Sequence, residues 1–420
     1  MKFKKMVMTD NCLTHGLCYF NGKENPVSGV LEYDNNQINL SYVRKHFFMD
    51  QEEDNYSQVE FVTSEGEVLR LVNGLVIKQK SNSRNVTTYN VDFQYIMLDL
   101  HPEKDMRDSF SVIKFTCTYF KDIFSNSPFR FISHNRETFY KEIKADVNGT
   151  LGICLLNPKI EISDKITAHE KNQEGGNVLS YSYTPYIRVK FFEDFELNNL
   201  MSEVIRLKNL FSFLMDSKIL VEELFISSGD KTYKIFWSNE KDVNISMKTY
   251  KLNSDVRPLV KKHFAEIVSN FYLQEELFDD LFDTYINNLY KPIYADDYLV
   301  SQIIILEGLY IRFKVGPKNV RLKNMLENII EETYELESAT FNSTIKIDDS
   351  IINFLKEFRH YHSHLYERHR KPATDLDLYE LALTLKEIIH EFISSKLYYS
   401  NQSYKAKQYE FEQLPRKIEE

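Results

Sequence analysis

The residues of this chain best equipped for chemistry stand close together near its C-terminal end, in Phe358-Arg359-His360-Tyr361-His362-Ser363-His364-Leu365. Five of the eleven histidines fall between His360 and His390, and three of them alternate. On an α-helix each residue turns the side-chain direction by about 100°. Ile351, Phe354, Leu355, Phe358, Tyr361, His362 and Leu365 then share one sector and form an apolar stripe. Arg359, Ser363, His360 and His364 lie elsewhere, at about 0°, 40°, 100° and 140° when Arg359 sets zero. An imidazole exchanges a proton near neutral pH and suits general acid–base work. A guanidinium keeps its charge and offers a fork of donors that fits phosphate oxygens. This polar face has the groups to act on a phosphodiester, although a solvated face with no task carries the same residue types. His362, on the other face, is expected to pack in the interior without a catalytic role.

Arg359-His360-x-x-x-His364 resembles the R-x(4–6)-H motif of the HEPN superfamily, in its R-H-x-x-x-H form, and lies on the penultimate helix of an all-helical segment. The front half resembles the N-terminal region of ApeA-type anti-phage proteins in layout, with strand-rich stretches such as Gly29-Val30-Leu31-Glu32-Tyr33-Asp34 and a later Leu-rich helix. The HEPN resemblance implies an endoribonuclease that needs no metal or cofactor. The ribose 2′-OH attacks the adjacent phosphorus, a 5′-OH leaves, and a 2′,3′-cyclic phosphate remains. On that resemblance His364 is the acid or base, Arg359 stabilises charge building on the phosphoryl oxygens, and His360 supports the site. RNA, with tRNA one candidate, is the implied substrate, abortive infection the implied role, and a phage-derived trigger sensed by the N-terminal domain the implied control. Because Arg359 and His364 diverge by about 140°, one helix would enclose a phosphate poorly. Two such helices facing across a twofold axis would surround it, an arrangement that resembles HEPN dimers. Three other readings stay open: a catalytically silent binding or sensing module, a toxin controlled by a partner, and a metalloenzyme using His360 and His364.

The elements that must position these groups divide the chain into an α+β protein. A β-rich N-terminal domain over 1–250 precedes an all-α bundle over 251–400, and a tail over 401–420 has no apolar stripe. Strands are predicted around Ile38 to Tyr42, Val59 to Val62, Val68 to Val72, Val86 to Phe93, Val112 to Tyr119, Leu151 to Leu156 and Tyr186 to Phe192. Glu65-Gly66-Glu67 and Asn73-Gly74 read as turns, and the span from Asn157 to Asn177 as a long loop or extended hairpin. Leu200, Val204, Leu207, Phe211 and Leu214 mark a helix, after which Ser228-Gly229-Asp230 joins a hairpin. Helices follow near 258–272, 274–290, 296–314, 320–336, 348–369 and 375–396, expected to pack up and down. Asp348 is the expected N-cap of the histidine helix. Glu307, an acid in an otherwise apolar helix, calls for a partner, either Arg359 or a backbone donor.

The formal net charge of −10 speaks against a surface coated with nucleic-acid contacts, so RNA would be met by a local basic patch. Arg312, Lys314, Lys318, Arg321 and Lys323 make one such cluster, with a solvated turn around Gly316-Pro317 as the plain alternative. Arg368, Arg370 and Lys371 make a second. Cys12-x-x-His15-x-x-Cys18 offers three metal ligands without an evident fourth. The four cysteines are too few and scattered for a disulfide framework. A basic start at Met1-Lys2-Phe3-Lys4-Lys5 is followed by no apolar run, and no stretch reaches the roughly 20 apolar residues of a membrane helix, so a cytoplasmic protein is expected.

Overall fold

The computed structural model describes residues 2–20, 25–34, 37–45, 55–81, 86–101, 109–124, 129–134, 138–143, 152–154, 159–173, 176–238, 260–290, 294–317, 320–336, 345–363 and 371–398. They form two compact units, one strand-rich and one helical, and the chain is an α+β protein as its patterning predicts. The described part of the first unit comprises 2–208 and 219–238; that of the second comprises 209–218 and residues from 260 to 398. The last turn of the Leu-rich helix α2 (Leu197–Leu214) thus belongs with the helices. The expected tail over 401–420 lies outside the described residues.

Six strands of the first unit close into an antiparallel ring: β1 (Cys12–Phe20), β2 (Val27–Asp34), β3 (Gln37–Lys45), β6 (Val86–Asp99), β5 (Val68–Ser81) and β4 (Asn55–Thr63). Alternate residues of each strand fill the barrel, among them Cys18, Leu31, Tyr33, Leu40, Phe61 and Val91, all fully buried. One end is plugged by aromatics: the Tyr42 and Tyr89 rings stack at 5.0 Å, and the Tyr42 and Tyr56 hydroxyls hydrogen-bond at 2.6 Å. The far end of β6 also pairs with β14 (Lys231–Trp237), which opens the barrel wall into a further sheet. That sheet continues through β13 (Val221–Ser228), β7 (Phe110–Cys117), β12 (Gly176–Phe195), β11 (Lys159–Gln173) and β10 (Gly152–Cys154). β8 (Phe129–His134) and β9 (Thr138–Ile143) form a separate hairpin, and α1 (Phe120–Phe124) follows β7.

Two turn signals work as expected. Gly66 takes φ +82° between β4 and β5, and Gly229 takes φ +54° between β13 and β14. Asn73-Gly74 is no turn. It is a kink inside the continuous strand β5, where Asn73 takes φ +57° and a Cβ on Gly74 would lie 2.5 Å from the Phe93 ring. The span 157–177 holds β11 and only the start of β12, which pair as an extended hairpin from Lys159↔Lys190 to Gln173↔Gly176.

The helical unit holds α3 (Phe264–Leu273), α4 (Glu275–Tyr290), α5 (Ala295–Phe313), α6 (Leu322–Tyr334), α7 (Asp349–Ser363) and α8 (Leu378–Tyr398). The helix predicted over 258–272 is interrupted, since His263 stands in a turn before α3. α4 and α5 run antiparallel, with Phe278 against Phe313 and Asn288 bonded to Ser301 at 2.8 Å. The Leu281 side chain sits directly over Gly308, where a Cβ would stand 2.4 Å from its Cδ2. The expected up-and-down alternation is broken between α5 and α8. Tyr298 meets Tyr379 at the start of α5 and α8, and Phe313 meets Phe392 towards their ends, so these two helices run parallel. Both carry wide apolar stripes, and covering Ile303, Leu306, Leu309, Leu385, Ile389 and Phe392 outweighs the short-connection preference.

The barrel's closeness at Gly16 gives a sharp expectation. A Cβ there would lie 2.3 Å from the Val62 carbonyl oxygen and 2.6 Å from the Phe61 ring. Gly16→Ala should destabilise the β-rich unit by about 1–3 kcal/mol through overpacking. Leu13→Ala, at a residue of the same strand that is 65% exposed, should stay within about 0.5 kcal/mol. Urea unfolding midpoints of the two variants check the contrast.

Candidate active site on the α7 helix

The Asp348 carboxylate starts α7. Its Oδ1 accepts from the Ser350 and Ile351 amides, each at 3.0 Å, and from the Ser350 hydroxyl at 2.8 Å. Those bonds hold its pKa below the ordinary carboxylate range, with the Ile351 amide the largest cause. The N-cap is where the sequence pattern puts it.

From that start α7 packs on α5 and α6, burying Ile352, Leu355 and Phe358. Ile351, Phe354, Tyr361 and His362 are only half-buried. The buried sector is therefore turned about 40–60° from the predicted stripe, towards Arg359, which stands two turns after Ile352 on the same side. The cause is the neighbour: α5 covers that flank. Arg359 consequently occupies a seam between α7 and α5, with 25% of its side chain exposed. Its Nε lies 3.9 Å from Glu307 Oε2, an ion pair without a hydrogen bond, and that Nε is buried. Nη1 donates to the Ser363 hydroxyl, which in turn donates to the Arg359 carbonyl at 2.8 Å. His360, the next residue, is exposed. His362 packs at a tilt against Phe358, with ring centres 4.6 Å apart, and keeps a buried Nε2 with no hydrogen-bond partner. His364, Arg368 and Arg370 lie outside the described residues.

A second contact sets the direction of this seam. Lys371, after α7, pairs with Asp296 in the first turn of α5 and stands 5.7 Å from the Phe358 ring centroid. With Arg359 beside Glu307, α7 runs antiparallel to α5, towards the N-terminal end of α5. The basic cluster is at the opposite, C-terminal end. There Arg312 donates to the Phe278 carbonyl at 3.3 Å and Lys323 pairs with Glu327 at 3.3 Å. Lys314, in a left-handed C-cap at φ +53°, and Arg321 are exposed; Lys318 is outside the described residues. The structure therefore gathers Arg359, Ser363, Glu307 and the neighbouring His360, and sets the 312–323 cluster apart from the direction in which α7 runs.

Among the described residues no three His, Cys, Asp or Glu side chains gather as metal ligands. Cys12, His15 and Cys18 are split by strand alternation: His15 is exposed on one side of β1, and Cys18 is buried on the other, where burial raises its thiol pKa to about 12. No helix among the described residues is long and apolar enough to cross a membrane.

One polar cluster escaped the sequence reading. His390 of α8 is buried, stacks on Phe213 at 4.6 Å, and contacts the Phe213 carbonyl through Nε2 at 3.1 Å. A carbonyl only accepts, so the neutral ring carries its proton on Nε2. Asp216, just past α2, binds the Tyr285 hydroxyl at 2.9 Å and Lys386 at 2.6 Å. Its signal was a histidine bordering the apolar stripe of Leu385 and Ile389.

These observations define an α+β protein with a barrel-led sheet unit and a helical unit that presents an arginine in a helix seam. The family model described as ApeA N-terminal domain 1 matches residues 14–271, more than half of the chain, and the chain belongs to that family, a family of anti-phage defence. No curated protein and no solved structure gives a match.

Burial is the largest influence on His390 and pushes its pKa below the ordinary value; Asp216 opposes the shift. The unfolded chain takes up a proton below about pH 6.5 while the folded chain resists it. The stability from a neutral His390 is thus complete above that pH and is lost as pH falls towards the folded pKa. His390→Phe should flatten the decline of the urea midpoint between pH 7 and 5 relative to wild type. Parallel declines in the two proteins would refute this assignment.

Proposed function

We propose that this chain is a metal-independent endoribonuclease of the HEPN type, acting in anti-phage defence by abortive infection. The observation that carries the reading is the setting of Arg359. Its guanidinium is oriented by Glu307 on one flank and Ser363 on the other, while Nε has no hydrogen-bond partner. The 3.9 Å separation from Glu307 keeps the guanidinium out of a tight pair, and the exposed quarter of the side chain, rather than the buried Nε, is where a phosphate can approach.

In this reading His364 acts as acid or base. As base it removes the proton of the ribose 2′-OH as that oxygen attacks phosphorus; as acid it protonates the departing 5′-oxygen. The products are a 2′,3′-cyclic phosphate and a 5′-OH, with no external reactant. Arg359 stabilises the added negative charge on the phosphoryl oxygens. His360, exposed beside it, supports the substrate. A homodimer with two α7 helices near a twofold axis supplies the second set of groups that one helix lacks, RNA such as tRNA is the substrate, and a phage-derived trigger acts through the β-rich unit in the cytoplasm.

Incubation of the purified chain with total RNA in EDTA, with mapping of the new ends, tests the assignment. Cyclic phosphate ends are expected. Arg359→Ala and His364→Ala should each lower cleavage by about 10²-fold or more with unchanged thermal stability. Ends bearing 5′-phosphates, or a His364→Ala protein that cuts at the wild-type rate, would reject it. Co-expression of wild type with Arg359→Ala tests the shared centre: activity should fall more steeply than the wild-type fraction.

A further inference from the structure

Helix α5 carries an apolar ridge left uncovered among the described residues. Ile304 is 39% exposed and Ile311, two turns on, is 56% exposed. At about 100° per residue, Val300, Gly308 and Ile311 all lie within about 40° of the Ile304 direction, and Asp297 within about 20°. Single exposed apolar residues are ordinary. Two isoleucines on one line of a helix, continued by a half-buried valine, make a contact face.

The ridge has one neighbour on each flank. On the side of Gly308 and Ser301 lies α4, with Leu281 over the glycine and Asn288 bonded to Ser301 at 2.8 Å. On the side of Glu307 and Asp296 lies α7 with the residues after it, through Arg359 at 3.9 Å and Lys371. Its two ends carry opposite charges: Asp297 is exposed at the start, and Lys314 is exposed at the left-handed C-cap.

This layout is complementary to its own reverse. Laid antiparallel on a copy of itself, the ridge sets Asp297 against Lys314, Val300 against Ile311, and Ile304 beside Glu307 and Gly308, since the midpoints of these pairs all fall at 305–306. Self-complementarity of that kind is what a twofold contact requires.

We propose that the α5 ridge is the face on which a second copy of this chain docks, antiparallel, about a twofold axis level with residues 305 and 306. This deepens the ribonuclease reading: the contact stands on the ridge, and its bearing on cleavage rests on that reading. A twofold that exchanges two facing antiparallel helices runs perpendicular to both and to the line joining them, so lateral position is preserved. Both α7 helices therefore come to one side of the contact and both α4 helices to the other. Glu307 stands within two residues of the axis level on the α7 side, so the two Arg359–Glu307 pairs meet across the axis. The partner copy thereby supplies the second guanidinium of one shared cleft. An unrelated amphipathic helix would cover the isoleucines too, but only a second copy repeats at one end the charge pairing made at the other.

Sedimentation equilibrium of the full chain, over a range of concentrations and without RNA, tests it. Wild type should be a dimer, and Ile311→Asp should weaken it about 10-fold or more, because a carboxylate would be buried at the contact. Leu383→Asp, at an exposed residue of α8, should dimerise as wild type does. Asp297→Lys and Lys314→Asp should each weaken the dimer by about 5-fold, the twofold counting each change twice, and the double variant should restore it. Circular dichroism spectra check that all variants fold. A wild type that stays monomeric, an Ile311→Asp protein that dimerises normally, or a double variant no tighter than the single ones overturns the proposal. Cleavage separates this from the ribonuclease reading. A wild-type dimer that Ile311→Asp breaks, but that leaves all RNA intact in EDTA, supports the contact and defeats the nuclease. A wild-type monomer that leaves cyclic phosphate ends does the reverse.

Discussion

Strand β6 is the constraint on which the β-rich unit depends. Its early residues pair with β3, its whole length pairs with β5, and its last residues pair with β14. One strand thereby closes the barrel and begins the open sheet. For that to happen the wall must bend, and it does so at one level in β4 and β5. The buried face jumps by three residues from Tyr56 to Val59 in β4 and from Leu71 to Gly74 in β5, while β6 buries every residue from Tyr95 to Leu98. Asn73 in its left-handed conformation, bonded to Gln94 at 2.8 Å, marks the bend. Breaking the two-residue alternation in register across adjacent strands keeps the ladder intact while both portions bury their apolar residues.

The sheet beyond the barrel holds its charges in two different ways. Near β14, Lys234 is 3% exposed, and its ammonium is matched by Glu223 at 3.2 Å and by the Met6 carbonyl. Lys231 is equally buried and paired with Asp99 at 2.5 Å. Buried cations without such partners would cost several kcal/mol. Towards β12 the pairing thins, and Arg188 and Lys190 are left in contact with solvent.

In the helical unit the seam between α5 and α7 decides what the motif arginine can do. Packing fixes the helix rotation through Ile352, Leu355 and Phe358, and the rotation places Arg359 against Glu307. A guanidinium half out of water with an off-distance carboxylate keeps its orientation without being consumed by a tight bidentate pair. Lys371 and Asp296 clamp the chain after α7 to the start of α5, so two ion pairs bracket the segment between them.

The amino-acid order by itself determined the class: strands alternating apolar and polar residues, then helices with 3.6-residue stripes, an Asp348 cap and an α7 that carries Arg359 and His360. These are local signals, set by neighbours a few residues away. It also offered Arg359, beside a backbone donor, as a partner for Glu307, because an acid in an apolar helix needs one. The closed ring, the parallel course of α5 and α8, and the buried His390 beside Phe213 were decided by contacts between distant segments. So was the rotation that turns Arg359 from an outward polar face into a seam. Hydrophobic periodicity states how wide a stripe is, but the neighbouring helix chooses which edge of it is covered. Asn73-Gly74 shows the same limit, since a dipeptide suited to a turn serves equally as a strand kink once barrel closure demands one.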